Sequence, residues 1–289
     1  MTKRTTKILH ISDLHFDCQL GTQGADHEIT MRHNGELLRS ERADVILVTG
    51  DLTSHGSTDS HELQLAKQWL EDLQCPVLVV PGNHDLGTNR ARAKIDPTRE
   101  QYEDVAYSDT RYAKTFGGDT VIESRLDGLR IVGIALRDRE AKETLMQLEE
   151  VLEDRVPTVV IGHYPVVPVR DTGPIPRVQP LYEWLGEYVD RLKGVLLRSE
   201  SVIVYCCGHV HASTANVIGG SLMQISAGAL GAGPSVYRSY SIRDGELLVE
   251  TRFGNGPLSF WEAYGEVGSS SADYHLGSDS ERRLLLKIR

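Results

Sequence analysis

Short apolar runs recur along the chain at 7–12, 45–49, 77–80, 129–136, 158–161 and 202–207, and they limit its architecture more than any other feature. The runs at 45–49, 77–80, 158–161 and 202–207 are nearly continuous in Val, Ile and Leu. Such runs suit strands covered on both faces, since a strand with one wet face alternates apolar and polar residues. Helical spacing falls between several of them: Leu63, Ala66, Leu70 and Leu73 within 58–73, Leu145, Leu148 and Leu152 within 140–152, and Leu185, Val189, Leu192 and Leu196 within 181–197. Strand–helix alternation of this kind predicts an α/β layered fold. Beyond Ala212 the pattern changes to short strands at 215–218, 221–226, 236–242 and 247–252, with Asp244-Gly245 as a hairpin signal. The expected layout is two sheets packed face to face with helices outside, the second sheet partly antiparallel. Residues 86–118 and 254–280 show no clear periodicity, and 281–289 form an apolar-basic tail suited to docking on the body or on a partner.

Five motifs follow these runs, each where a strand should give way to a loop. They are Asp13-Leu14-His15, Gly50-Asp51, Gly82-Asn83-His84-Asp85, Gly162-His163 and Gly208-His209-Val210-His211. Carboxylate, imidazole and amide oxygen are ligands for hard or borderline cations, and five such motifs in series point to a binuclear metal site. Residues i and i+2 of a strand face the same side, so Asp13 and His15 are expected to address one ion, and His209 and His211 another. Asp51 is the natural carboxylate to bridge two cations, Asn83 offers a neutral oxygen, and His163 completes the second ion. The glycines of these motifs allow sharp turns and close approach of the backbone. In open α/β sheets, sites form outside the carboxyl ends of strands, where all five motifs lie.

These motifs, with Ile-Leu-His-Ile-Ser-Asp-Leu-His near the start, Val-Pro-Gly-Asn-His-Asp in the middle and Gly-His-Val-His late, resemble the calcineurin-like metallophosphoesterases over about residues 7–213. Within that family the chain looks most like the bacterial class III cyclic-nucleotide phosphodiesterase branch. The resemblance implies a four-layer α/β/β/α sandwich of two mixed β-sheets flanked by helices. A single domain is expected over residues 1–254, and the Gly- and Ser-rich composition that follows suggests a mobile extension over 255–289. It implies one ion held by Asp13, His15, Asp51 and His211, and another held by Asp51, Asn83, His163 and His209. Two divalent ions (Mn, Fe or Zn) are expected, with a bridging hydroxide attacking phosphorus in line. His84 would donate a hydrogen bond or proton to the phosphate or leaving oxygen, Asp85 would support it from behind, and Asn83, His84 and His209 would touch substrate.

Plainer roles compete for individual residues. Asp85 is as well placed to cap the turn after it. His10 reads as a sheet or core histidine, and His27, His33, His55 and His61 as loop or helix-start residues, with His33 and His55 able to border a substrate. Arg90, Arg92, Lys94 and Arg99 form a charge run that is more readily a solvated loop than a phosphate grip. Tyr164-Pro165 reads as a turn at the pocket rim.

A net charge of -10 argues against duplex nucleic acid and anionic membrane surfaces as partners, but not against a small phosphoester. No signal-peptide core or membrane span is visible, and no membrane insertion is expected. The four cysteines, Cys18, Cys75, Cys206 and Cys207, form no CxxC pair, and adjacent Cys206 and Cys207 should face opposite sides of a strand. Free thiols suit the cytoplasm. The second motif reads Gly-Asp-Leu-Thr-Ser-His-Gly, which departs from the Gly-Asp-x-Val-Asp-Arg-Gly of the phosphoprotein phosphatases. The leading expectation is hydrolysis of a small phosphodiester such as a 3′,5′-cyclic nucleotide. Alternatives are a phosphomonoesterase or pyrophosphatase acting on a nucleotide or lipid phosphate, and a non-catalytic protein-binding scaffold of the same fold. A homodimer through the C-terminal strands and tail is also envisaged.

Overall fold

The apolar runs are strands with both faces covered. The computed structural model describes residues 4–17, 22–87, 105–169, 187–231, 235–255 and 275–288. The first half comprises β1 (Thr6–Ile11), α1 (Thr22–Ser40), β2 (Val45–Thr49), α2 (Ser60–Asp72), β3 (Val77–Val80) and the single turn α3 (Asn83–Leu86). Then come α4 (Arg111–Phe116), β4 (Val121–Leu126), β5 (Leu129–Ile134), α5 (Ala141–Val151), β6 (Thr158–Ile161), α6 (Glu187–Arg198) and β7 (Val202–Cys207). The C-terminal part adds β8 (Ser213–Gly219), β9 (Leu222–Ala227), β10 (Val236–Arg243), β11 (Glu246–Phe253), the turn α7 (Asp279–Arg282) and β12 (Arg283–Lys287).

These strands form two six-stranded sheets, ordered β12-β11-β10-β1-β2-β3 and β4-β5-β6-β7-β9-β8. β1, β2 and β3 run parallel, as do β5, β6, β7 and β9. Antiparallel strands complete both sheets, through β10, β11 and β12 in one and β4 and β8 in the other. Both sheets are therefore mixed, as expected for a four-layer α/β/β/α sandwich. The β10–β11 hairpin turns at Asp244 and Gly245, both at positive φ (52° and 81°), as a two-residue primed turn requires.

Successive side chains of each strand enter different cores. Ile8, Val45, Leu47, Val80, Ile131, Val159, Ile161, Val204 and Cys206 pack between the sheets. Their neighbours Leu9, Ile46 and Val48 pack outward beneath α1 and α2, against Met31, Leu38, Leu63, Ala66 and Leu70. Val132, Val160, Tyr205 and Cys207 pack outward beneath α5 and α6, against Leu145, Leu148, Leu192 and Leu196. The order helix, sheet, sheet, helix follows from this double burial. Cys206 and Cys207 do face opposite cores, and both are free thiols.

Two elements departed from what the pattern suggested, and the tail met one of its two expectations. α1 buries Asn34, whose side chain donates to Leu230 O (3.3 Å) and Ser235 Oγ (3.0 Å) and accepts from Asn255 N (2.7 Å). A polar residue on the buried face breaks the apolar period that would have revealed the helix. β4 is an edge strand of half-exposed residues with little apolar signal. The tail docks on the body of the chain: β12 pairs with β11, Leu286 opposite Leu247, so part of the stretch beyond residue 254 is built into a sheet. The Arg90–Arg99 charge run and Cys18 lie outside the described residues. No described helix is long and apolar enough to cross a membrane.

Candidate metal centre

The five motifs lie at the C-terminal ends of β1, β2, β3, β6 and β7, and hydrogen bonds lace their loops together. Asp13 N donates to Gly50 O (3.0 Å), His15 N to Asp51 O (3.1 Å) and Gly208 N to His163 O (3.0 Å). The carboxylates join in: Asp13 accepts from His209 N (3.1 and 3.2 Å) and Asp51 from His84 N (2.9 Å). Asp13, His15, Asp51, His209 and His211 all adopt positive φ, between 49° and 74°. Left-handed backbone at non-glycine residues costs of order 1 kcal/mol or more each and persists only where the surroundings impose it. Gly50 is required twice over, by its φ of 92° and because a Cβ there would lie 2.7 Å from His163 Nδ1. At Gly208 a Cβ would fall 1.8 Å from Ser12 Oγ and 2.7 Å from Asp13 Oδ2.

The side chains converge in two groups, Asp13–His15–His211 and Asp51–His163–His209. In the first, His15 Nε2 and His211 Nε2 are 3.0 Å apart, and His211 Nε2 is 3.3 Å from Asp13 Oδ1. In the second, His163 Nε2 is 3.1 Å from His209 Nδ1, 3.1 Å from Asn83 Oδ1 and 3.3 Å from Asp51 Oδ2. Ligand atoms about 2.1 Å from a shared ion stand about 3.0–3.4 Å from one another, so both groups fit a cation. The strand rule of i and i+2 fails here: His209 and His211 join different groups, because their residues are left-handed loop and not extended chain.

Electrostatics favour positive charge beside Asp51 and disfavour it at His15. Burial works against ionisation of Asp51, yet His163, His84 and His15 hold its carboxyl well below the usual range. His163 is pushed up to about 9: burial opposes the proton, and Asp51 overrides it. His15 is driven well below the ordinary imidazole value by burial and then by His211 and His84, which keeps it a neutral donor ready to ligate. Asp51 contributes to the electrostatics of His15 as well, although its oxygens lie in the other group. His163 Nδ1–H donates to Thr49 O (2.7 Å), which fixes the tautomer and aims Nε2 at the shared point.

His84 lies beside both groups. Its backbone holds Asp51, its ring stands edge-on to His15 at 5.1 Å, and its Nδ1 pairs with Ser54 O at 2.9 Å. Asp85 is wholly buried behind the loop and accepts from Gly82 N (2.8 Å), Leu52 N and Thr53 N (both 3.1 Å) and Thr53 Oγ1 (2.8 Å). It ties the β2 loop to the β3 loop as a positioning residue, and burial with Asp51 nearby pushes it up to about 6. His10 is a core histidine between Tyr240 Oη and Thr49 Oγ1, both at 2.9 Å. His27 pairs with Leu14 O (2.8 Å), His33 and His61 are surface residues, and His55 stands near Asp17 and Glu62. Tyr164, expected as a rim turn, is buried and stands edge-on to His163 (5.1 Å) and His209 (5.2 Å), walling the deeper group. Its place directly after His163 was the only hint in the sequence.

The sequence model of the calcineurin-like phosphoesterase family matches residues 6–213. The glycerophosphodiester phosphodiesterase GpdQ of Enterobacter lignolyticus is 29% identical over 71% of this chain and 70% of its own length. A probable cyclic nucleotide phosphodiesterase of Coxiella burnetii is 26% identical over 73% of this chain and 78% of its own length. Among solved structures, a dimetal phosphatase of Danio rerio superposes with a TM-score of 0.64 at 13% identity, covering 98% of this chain and 99% of the other. Two mixed sheets, a split ligand set that fits cations and this family match agree: the chain belongs to the calcineurin-like phosphoesterases and is a metal-dependent phosphoester hydrolase.

Proposed function

We propose that the chain hydrolyses a small phosphodiester, with a 3′,5′-cyclic nucleotide as the leading substrate and Asp13, His15, Asp51, Asn83, His163, His209 and His211 as ligands of two cations. The observation that carries this reading is the pair of ligand groups meeting across the two sheets, with His84 beside both. Bound cations supply a water of lowered pKa and neutralise phosphoryl charge. The protein's own groups do the rest. Nδ1 of His84 is committed to Ser54 O, so a protonated ring presents Nε2–H to the phosphoryl or leaving oxygen. Asn83 Oδ1 faces His163 Nε2, which leaves its amide NH₂ to hold a phosphoryl oxygen. Asp85 keeps both loops in register from behind. The unpaired, buried Cys206 and Cys207 favour a reducing compartment, the cytoplasm.

The name of the Enterobacter relative supports a second diester class, glycerophosphodiesters, while the Coxiella relative supports cyclic nucleotides. A scaffold without catalysis is disfavoured because the ligand set and His84 are complete.

The test is to strip the metal, restore Mn²⁺, and compare initial rates on bis-p-nitrophenyl phosphate, 3′,5′-cyclic AMP, 2′,3′-cyclic AMP and glycerophosphocholine against matched phosphomonoesters. Metal-dependent diester cleavage that Asp51→Asn abolishes supports the reading, and the rank order selects the substrate. Preference for monoesters moves it to a phosphatase. Two bound metals without turnover of any substrate in the panel withdraws the catalytic assignment.

A further inference from the structure

The two groups of ligands are anchored differently. His163 is aimed by its own ring, through Nδ1–H to Thr49 O at 2.7 Å. His211 has no such anchor: its Nδ1 is buried and finds no hydrogen-bond partner among the described residues. The aim of its Nε2 therefore depends on its main chain, which sits at a φ of 51°. That main chain is held from the far end of the sequence. His275, 2% exposed, pairs through Nδ1 with His211 O at 3.2 Å. The next residues extend the same contact. Glu281 Oε1 accepts from Ala215 N (3.4 Å), and its Oε2 accepts from Ser278 N (2.8 Å), closing the turn α7. The buried Arg238 guanidinium donates to Thr214 O (2.9 Å) and Glu281 O (2.8 Å) together, stitching tail to loop. Gly277 passes so close that a Cβ would lie 2.6 Å from Ser213 O.

We propose that the segment from His275 to Glu281 is a clasp on residues 211–215, where the loop after β7 enters β8, that sets the cation affinity of the Asp13–His15–His211 group, with His275 as its positioning residue. The clasp lies outside residues 6–213, the part matched by the family model. It rests on the two-cation reading above. A backbone carbonyl fixed in place does for His211 what the Thr49 carbonyl does for the His163 ring, since groups behind a ligand are worth about ten- to a hundredfold in metal affinity.

The experiment is calorimetric titration of the metal-free full chain with Mn²⁺, the two binding events being assigned with His211→Ala and His163→Ala. His275→Ala is expected to weaken the His211 event by about tenfold while the other moves less than about twofold. His275→Asn, whose amide also donates to a carbonyl, is expected to restore most of the loss, and Glu281→Gln to give a smaller loss at the same event. Thermal unfolding of the metal-free variants separates this from loss of fold. Equal weakening of both events by His275→Ala, or no change in either, overturns the clasp. Absence of two binding events in the unaltered protein overturns the two-cation reading itself.

Discussion

The Asp51–His163–His209 group is wholly buried, whereas in the Asp13–His15–His211 group only Asp13 is. The deeper group is backed by Tyr164, by the Thr49 carbonyl and, one layer further, by His10 on the Thr49 hydroxyl. The shallower one has two half-buried imidazoles and relies on left-handed loop backbone held by the tail. One ligand set, read from sequence as five equivalent motifs, is thus one pre-aimed site and one site whose aim is conferred from outside. The difference teaches that ligand identity fixes which cation class binds, while the surrounding hydrogen bonds fix how firmly.

In the proposed two-cation centre Asp51 is the shared carboxylate, and its removal should erase the contrast between the groups. Asp51→Asn is expected to lower kcat/KM by about a thousandfold or more and to weaken both Mn²⁺ binding events, measured by steady-state rates and by metal content after gel filtration. Retention of two tightly held ions would show that Asp51 does not bridge. His84→Ala should lower kcat by about a hundredfold or more with two ions still bound, since the ring is placed to donate to substrate. A matching fall in bound metal would make His84 a structural prop of Asp51 instead.

Chelation sharpens the comparison directly. During dialysis against EDTA the shallow group should empty about tenfold faster than the deep one, followed as metal per chain over time. Simultaneous loss would mean that the two sites exchange as one. The smallest expected effect concerns the backing of the deep group. Burial and then Arg238 lower His10 to about 3 from the ordinary 6.5. The unfolded chain therefore binds more protons than the folded one between those values, so this contribution to stability is complete above about pH 6.5 and declines as pH falls toward 3. The slope from this residue is at most about 1.4 kcal/mol per pH unit, visible in denaturant midpoints of the metal-free protein between pH 5 and 7.5. His10→Gln should flatten it; an unchanged slope would assign the titration elsewhere.

Much of this was legible in the residues. The strands at 45–49, 77–80, 158–161 and 202–207 fall where their nearly continuous apolar runs put them, because burial on both faces favours apolar side chains at most positions. The five motifs were legible as a set for the same reason: each ends a buried strand. The partition of His209 from His211 was not derivable from spacing, since strand geometry does not extend into a left-handed loop. α1 was hidden by the buried Asn34, and the role of His275 by its distance in sequence from anything resembling a ligand. Polar residues inside a core and contacts between remote segments leave no period to read.

The proposed ligands are far apart in sequence: His15 meets His211 across 196 positions. No N-terminal fragment that stops before residue 211 can contain the full set, so during synthesis the centre is absent until strands of both sheets have emerged. Each sheet supplies part of both groups, and activity is therefore a late certificate of assembly: it vouches that β1 and β2 of one sheet have met β6 and β7 of the other.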